Sequence, residues 1–129
     1  MRETTNDTIL VVDDEPFIVR SLTFVLKKAG FEVLDAWNGE QALERIREVK
    51  PRIVFLDVMM PRMSGYEVCE AVKAEPWGRD VTIIMLTAKG QESDRERGLA
   101  AGADEYMTKP FSPSRIVGRV QELMGSVGA

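Results

Sequence analysis

Hydrophobic positions in this chain fall into short dense runs, separated by longer stretches in which they recur every three or four residues. The dense runs are "TILVV" (8–12), "EVLDA" (32–36), "IVFLD" (53–57), "TIIMLT" (82–87) and "EYMT" (105–108). Several are apolar on both faces, as strands buried in a parallel sheet are. Between them, Ile18, Leu22 and Val25 keep helical spacing, as do Ala42, Ile46 and Val49, then Val68 and Val72, and finally Ile116, Val120 and Leu123. End signals agree: Asn38 with Gln41 resembles a capping box, Gly30 and Gly102 stand where helices stop, and Ser112 precedes a first-turn Pro113. Residues 90–103 carry the thinnest apolar stripe of the expected helices. Strict alternation of strand and helix predicts an α/β domain, a doubly wound five-stranded parallel sheet with helices on both faces. The domain is expected over 1–124, with 125–129, "GSVGA", as a flexible tail or the start of a linker.

Composition narrows the functional classes. A hydrophobic fraction of 44% and a charged fraction of 29% are those of an ordinary globule, and 129 residues suffice for one core. The net charge of −4, with no basic stripe, argues against direct binding of nucleic acid. Neither a signal-peptide core nor a bilayer-spanning run is visible, so no membrane partner and a cytoplasmic location are expected. Cys69 is the single cysteine and sits beside Val68 in a helical pattern, where a core thiol is the simplest reading. The chain has no histidine, which removes Ser-His-Asp triads, His-ligated zinc and a histidine general base. Chemistry falls to carboxylates, hydroxyls and amines.

In doubly wound sheets ligands collect at the carboxyl ends of the strands, near the reversal of strand order. The first strand here runs into Asp13 and Asp14, the third ends on Asp57, the fourth on Thr87, and the fifth is followed by Lys109. Asp57 stands between "IVFL" and "VMM", where an unpaired charge costs on the order of several kcal/mol. Aspartates gathered at neighbouring strand ends raise each other's pKa or require a cation. Oxygen donors suit a hard divalent ion, and magnesium takes one or two carboxylates while keeping several waters. The same set makes a phosphoryl-transfer site, in which a carboxylate attacks phosphorus, a cation and an ammonium stabilise the transferring oxygens, and a hydroxyl donates. Taken singly, each residue has a plainer role. Asp13-Asp14-Glu15 before Pro16 also marks a helix start, Thr87 is a good β-former, Lys109 is a surface charge and Tyr106 a core aromatic. Gly65 and Pro61 shape a loop, and Trp77 covers a sheet edge.

Together, "ILVVDDEPF", "IVFLDVMMPRMSGYEV", "IIMLTAKG" and "GADEYMTKPFSP" resemble the receiver domain of two-component response regulators, over essentially the whole chain. The resemblance implies the flavodoxin-like (βα)5 receiver fold and assigns roles residue by residue. Asp57 matches the phospho-acceptor, Asp13 and Asp14 the acidic pair, Thr87 and Lys109 the phosphate-contacting pair, and Tyr106 the aromatic switch. Magnesium is implied on Asp14, Asp57 and the backbone carbonyl of Met59, with Asp13 acting through water. Met59 and Lys89 occupy positions where the family varies, and a cis Lys109-Pro110 bond is implied. The implied activity is that of a signalling switch that catalyses its own phosphorylation and dephosphorylation. Its phosphodonor is a sensor histidine kinase or a histidine phosphotransfer protein. Its output partner or fused effector domain reads the fourth helix, fifth strand and fifth helix, the face through which the receivers of winged-helix transcription factors dimerise. Two other classes fit less well. A haloacid-dehalogenase-type phosphatase looks for an acid where this chain has Met59, and a flavodoxin-like cofactor binder needs a phosphate loop where Asp13-Asp14-Glu15 would repel one. A docking module with a silent site is the third, and the intact constellation argues against it.

Overall fold

A run that is apolar on both faces must find its backbone hydrogen bonds in the plane of a sheet. In the computed structural model, which describes residues 6–60, 62–87, 93–109 and 112–128, all five runs do so. The strands are β1 (Asn6–Val12), β2 (Glu32–Ala36), β3 (Pro51–Asp57), β4 (Thr82–Thr87) and β5 (Glu105–Thr108), parallel throughout and ordered β2-β1-β3-β4-β5. Helices α1 (Pro16–Lys28), α2 (Gly39–Val49), α3 (Gly65–Lys73), α4 (Ser93–Ala100) and α5 (Pro113–Gly128) alternate with them, and a 3-10 turn spans Pro76–Asp80. This is the doubly wound α/β sheet that the pattern predicts.

Successive side chains on a strand point to opposite faces, so each strand feeds two cores. Leu10, Val12, Val54, Leu56, Ile83 and Met85 join Ala42, Ile46, Val68 and Val72 from α2 and α3. Ile9, Val11, Ile53, Phe55, Ile84 and Leu86 join Leu22, Leu26, Ile116 and Val120 from α1 and α5. On α1 the buried stripe is Val19, Leu22 and Leu26, one residue round from the Ile18 and Val25 of the expected spacing, which are only half-buried. Cys69 is buried in the first core, as a core thiol should be. Trp77 packs against that core from the 3-10 turn, with the Lys50 ammonium 5.6 Å above its ring.

Helix ends follow the signals, with two differences. Asn38 Oδ1 accepts the Gln41 N–H at 2.8 Å, but Gln41 Oε1 accepts from Trp37 N–H rather than from Asn38. The complete capping box is at Ser64 and Glu67, each side chain accepting the other's backbone N–H. Gly30 and Gly102 end their helices with φ of 100° and 101°, which glycine adopts at no steric cost. Helix α5 continues to Gly128, through residues read from the sequence as a tail or the start of a linker. Once a packed helix is nucleated, each further residue adds a hydrogen bond at small cost. Among the described residues no helix is long and apolar enough to cross a membrane.

One polar side chain ties the amino edge of the sheet together. Lys73 Nζ donates to the Val81 carbonyl at 2.6 Å, to Asp104 Oδ2 at 2.9 Å and to the Gly78 carbonyl at 3.1 Å. The same Asp104 oxygen accepts the Ile83 N–H at 2.8 Å. Lys73→Met keeps the length of the side chain but leaves these acceptors without their donor. It is expected to cost about 2–3 kcal/mol in urea unfolding with an unchanged m-value. A loss below about 0.5 kcal/mol would contradict this account of the edge.

Candidate functional site

The order β2-β1-β3 reverses chain direction across the sheet between β1 and β3. Val12 pairs with Leu56, so Asp13 and Asp57 follow at adjacent strand ends. Thr87 pairs with Thr108, and the Lys109 N–H donates to the Thr87 carbonyl at 2.7 Å, extending the ladder one residue beyond β5. Alternation then sorts the side chains. Asp13, Asp57 and Lys109 continue the phase of Val11, Phe55 and Met107, whereas Thr87 and Tyr106 continue that of Met85 and Ile83 on the opposite face.

The charged side chains meet as this phase requires. Asp13 is fully buried; its Oδ1 accepts the Glu15 N–H at 3.0 Å and its Oδ2 accepts from Lys109 Nζ at 2.7 Å. The Lys109 ammonium lies 3.5 Å from Asp57 Oδ1 and 3.9 Å from Glu15 Oε1. Asp14 is exposed, yet one carboxylate oxygen from each of Asp13, Asp14 and Asp57 falls within 4.8 Å of the others. A carboxylate set of this kind fits a hard cation. Burial, then the charge of Asp13, pushes the Asp57 carboxyl up to about 7; Lys109 opposes that rise and Asp14 adds to it. Burial works against the charge on Lys109, but the Asp13 hydrogen bond and the surrounding carboxylates outweigh it and hold its pKa above the ordinary value.

Thr87 is buried at the end of β4, and Tyr106 is half-buried against the core beneath α2 and α3. The Met59 side chain is exposed. Lys89, Pro61 and the Lys109-Pro110 bond lie outside the described residues. Gly65 does more than shape a loop: a Cβ there would sit 2.3 Å from the Asp57 carbonyl oxygen, so α3 starts in direct contact with the backbone of the central carboxylate. Glu15 was not singled out from the sequence, although its place directly after Asp13-Asp14 signals a third acid facing Lys109. Burial also pushes the Cys69 thiol up to about 12, which keeps it inert.

The family model for the response regulator receiver domain matches residues 9–121. The chain belongs to this family. As a receiver domain it is a module of two-component signalling. It is 44% identical over 119 residues to the alkaline phosphatase synthesis transcriptional regulatory protein PhoP of Bacillus subtilis, covering 92% of this chain and 49% of that protein. It is 43% identical over 116 residues to the phosphate regulon transcriptional regulatory protein PhoB of Escherichia coli, covering 90% of this chain and 51% of that protein. The receiver domain thus spans about half the length of these curated relatives. Among solved structures, the receiver domain of a Pseudomonas aeruginosa sensor histidine kinase, with a magnesium ion coordinated in its active site cleft, superposes with a TM-score of 0.84 at 30% identity, covering 94% of this chain and 99% of that one.

The raised pKa of Asp57 fixes the sign of a pH effect in metal-free protein. Because the folded value of about 7 exceeds the ordinary 3.8, folding favours the neutral acid. That contribution is complete at low pH and is lost as pH rises through the folded pKa. Asp57→Asn, neutral throughout, is therefore expected to raise the thermal midpoint of chelator-treated receiver domain most near about pH 8 and little near about pH 4, close to the ordinary 3.8. A gain that is equal or reversed across that range would refute the assignment.

Proposed function

We propose that this receiver domain is a phosphorylation-operated switch whose phospho-acceptor is Asp57. The observation that carries this is a buried carboxylate held between one ammonium and two further aspartates at the strand-order reversal. The donor is phosphohistidine on a sensor histidine kinase or a histidine phosphotransfer protein; the absence of histidine from this sequence fits the acceptor role and not the donor's. An Asp57 oxygen forms the new bond to phosphorus as the phosphorus–nitrogen bond breaks, and the leaving imidazole nitrogen takes up a proton from water. Asp57 must be ionised to attack, and Lys109 favours that form.

Asp14, Asp57 and the Met59 carbonyl would hold magnesium, with Asp13 acting through water. When bound, the ion would neutralise charge on the phosphoryl oxygens during transfer. The magnesium in the cleft of the Pseudomonas receiver domain supports this choice. Lys109 leaves Asp13 to pair with one phosphoryl oxygen, and the Thr87 hydroxyl donates to another. The movement of Thr87 opens space on its face of the sheet, which Tyr106, of the same phase, fills by turning inward. The readout surface is α4, β5 and α5. Its reader is an effector domain or output protein, as the full-length transcriptional regulators among the relatives suggest, and the setting is the cytoplasm.

Incubation with acetyl phosphate and magnesium is expected to add one phosphoryl group by intact mass, and none in Asp57→Ala or with chelator present. An equal gain in Asp57→Ala would place the acceptor elsewhere. Phosphorylation is further expected to convert monomer to dimer through α4, β5 and α5 in light scattering, with the Tyr106 ring resonances shifting to those of a buried ring. A monomer with unmoved Tyr106 in the phosphorylated state would sink this output mechanism.

A further inference from the structure

Two glycines hold the loop after β3 between two helix starts. A Cβ on Gly39, the first residue of α2, would lie 2.1 Å from the Met63 carbonyl oxygen and 2.6 Å from the Met63 Cβ. A Cβ on Gly65, the first residue of α3, would lie 2.3 Å from the Asp57 carbonyl oxygen. No side chain tolerates such distances, so at both points helix backbone rests directly on the loop. The Gly65 N–H also donates to the Val58 carbonyl at 3.0 Å. Between these contacts Arg62 holds a φ of 72°, a left-handed conformation that is strained for a non-glycine residue. Such backbone persists where its surroundings leave it no alternative. Each helix start is itself fixed, α2 by Asn38 and Gln41 and α3 by the Ser64–Glu67 box.

We propose that Gly39, far from the site in sequence, is a positioning residue for the phospho-acceptor loop. Because it lacks a side chain, α2 seats on Met63 and fixes the loop from one side while Gly65 fixes it on Asp57 from the other. Any side chain at position 39 displaces Met63. Since the far end is held at Gly65, the displacement passes into the residues between Asp57 and Met63, where Met59 lies. This inference rests on the reading of Asp57 and the Met59 carbonyl as metal ligands given above. Its consequence there is misaligned oxygen ligands, which a small ion demanding octahedral geometry tolerates poorly.

The test compares Gly39→Ala with Gly78→Ala. A Cβ on Gly78 would meet the Val72 carbonyl oxygen at 1.9 Å, an equally severe clash placed before β4, at the opposite edge of the sheet. Asn38→Ala serves as a milder variant that frees the start of α2 without adding bulk. Amide hydrogen exchange of the metal-free protein and calorimetric titration with magnesium chloride are the readouts. Gly39→Ala, and Asn38→Ala more weakly, are expected to speed exchange at Val58, Met59 and Met63. Gly39→Ala is expected to weaken magnesium binding by about tenfold or more. Gly78→Ala is expected to lower the unfolding midpoint while leaving both readouts at native values. Native exchange and native magnesium affinity in Gly39→Ala would overturn the proposal, as would equal loosening of the loop in Gly78→Ala. If Gly39→Ala fails to fold, Asn38→Ala decides by the same two readouts. Should the native chain bind no magnesium, the ligand reading fails, while the exchange comparison, which needs no ion, still decides the role of Gly39.

Discussion

Among the described residues a single ammonium group, that of Lys109, faces the carboxylates of Asp13, Asp57 and Glu15, and the carboxyl edge of the sheet is organised around that imbalance. One positive charge cannot neutralise this many acids, so the remaining cost appears where burial is deepest and solvent cannot help. Asp13 satisfies both its oxygens, one with Lys109 and one with the Glu15 backbone. For Asp57 the contact with Lys109 is longer, and burial together with the charge of Asp13 drives its carboxyl toward neutrality. A cation bound among these carboxylates would relieve that shortage of positive charge, and under the proposed function a phosphoryl group would compete with Asp13 for Lys109. The chemistry and the electrostatic tension of the site are therefore one property.

Much of this was legible in the sequence because strands carry their phase with them. The runs ending at Val12, Leu56 and Leu86 announce both a sheet buried on two faces and the positions at which a polar residue must emerge. Asp13, Asp57 and Thr87 are those positions. Helix ends were readable where a side chain makes the cap, as at Asn38, and where glycine takes a positive φ, as at Gly30 and Gly102.

Other features were hidden for identifiable reasons. Gly65 read only as a loop-shaping residue and Gly39 drew no reading, because close contact between two backbones leaves no trace in hydrophobic pattern; only the space around them shows it. The one-residue rotation of the α1 stripe arises because both Ile18 and Val19 could serve a helical face, and packing on the sheet chooses between them. The persistence of α5 through residues that include Gly125 and Gly128 follows from a neighbouring packed segment rather than from their own propensity.

Stability and reactivity occupy opposite ends of the sheet. Lys73, with every acceptor in place, closes the amino edge, while the carboxyl edge collects acids in excess of their partners. In evolutionary terms this decouples two kinds of change. Residues around the mouth can be exchanged at less cost to the fold, because β4 and β5 are anchored by Lys73 and Asp104 at the other end of the sheet. One scaffold can thereby diversify into many signalling channels.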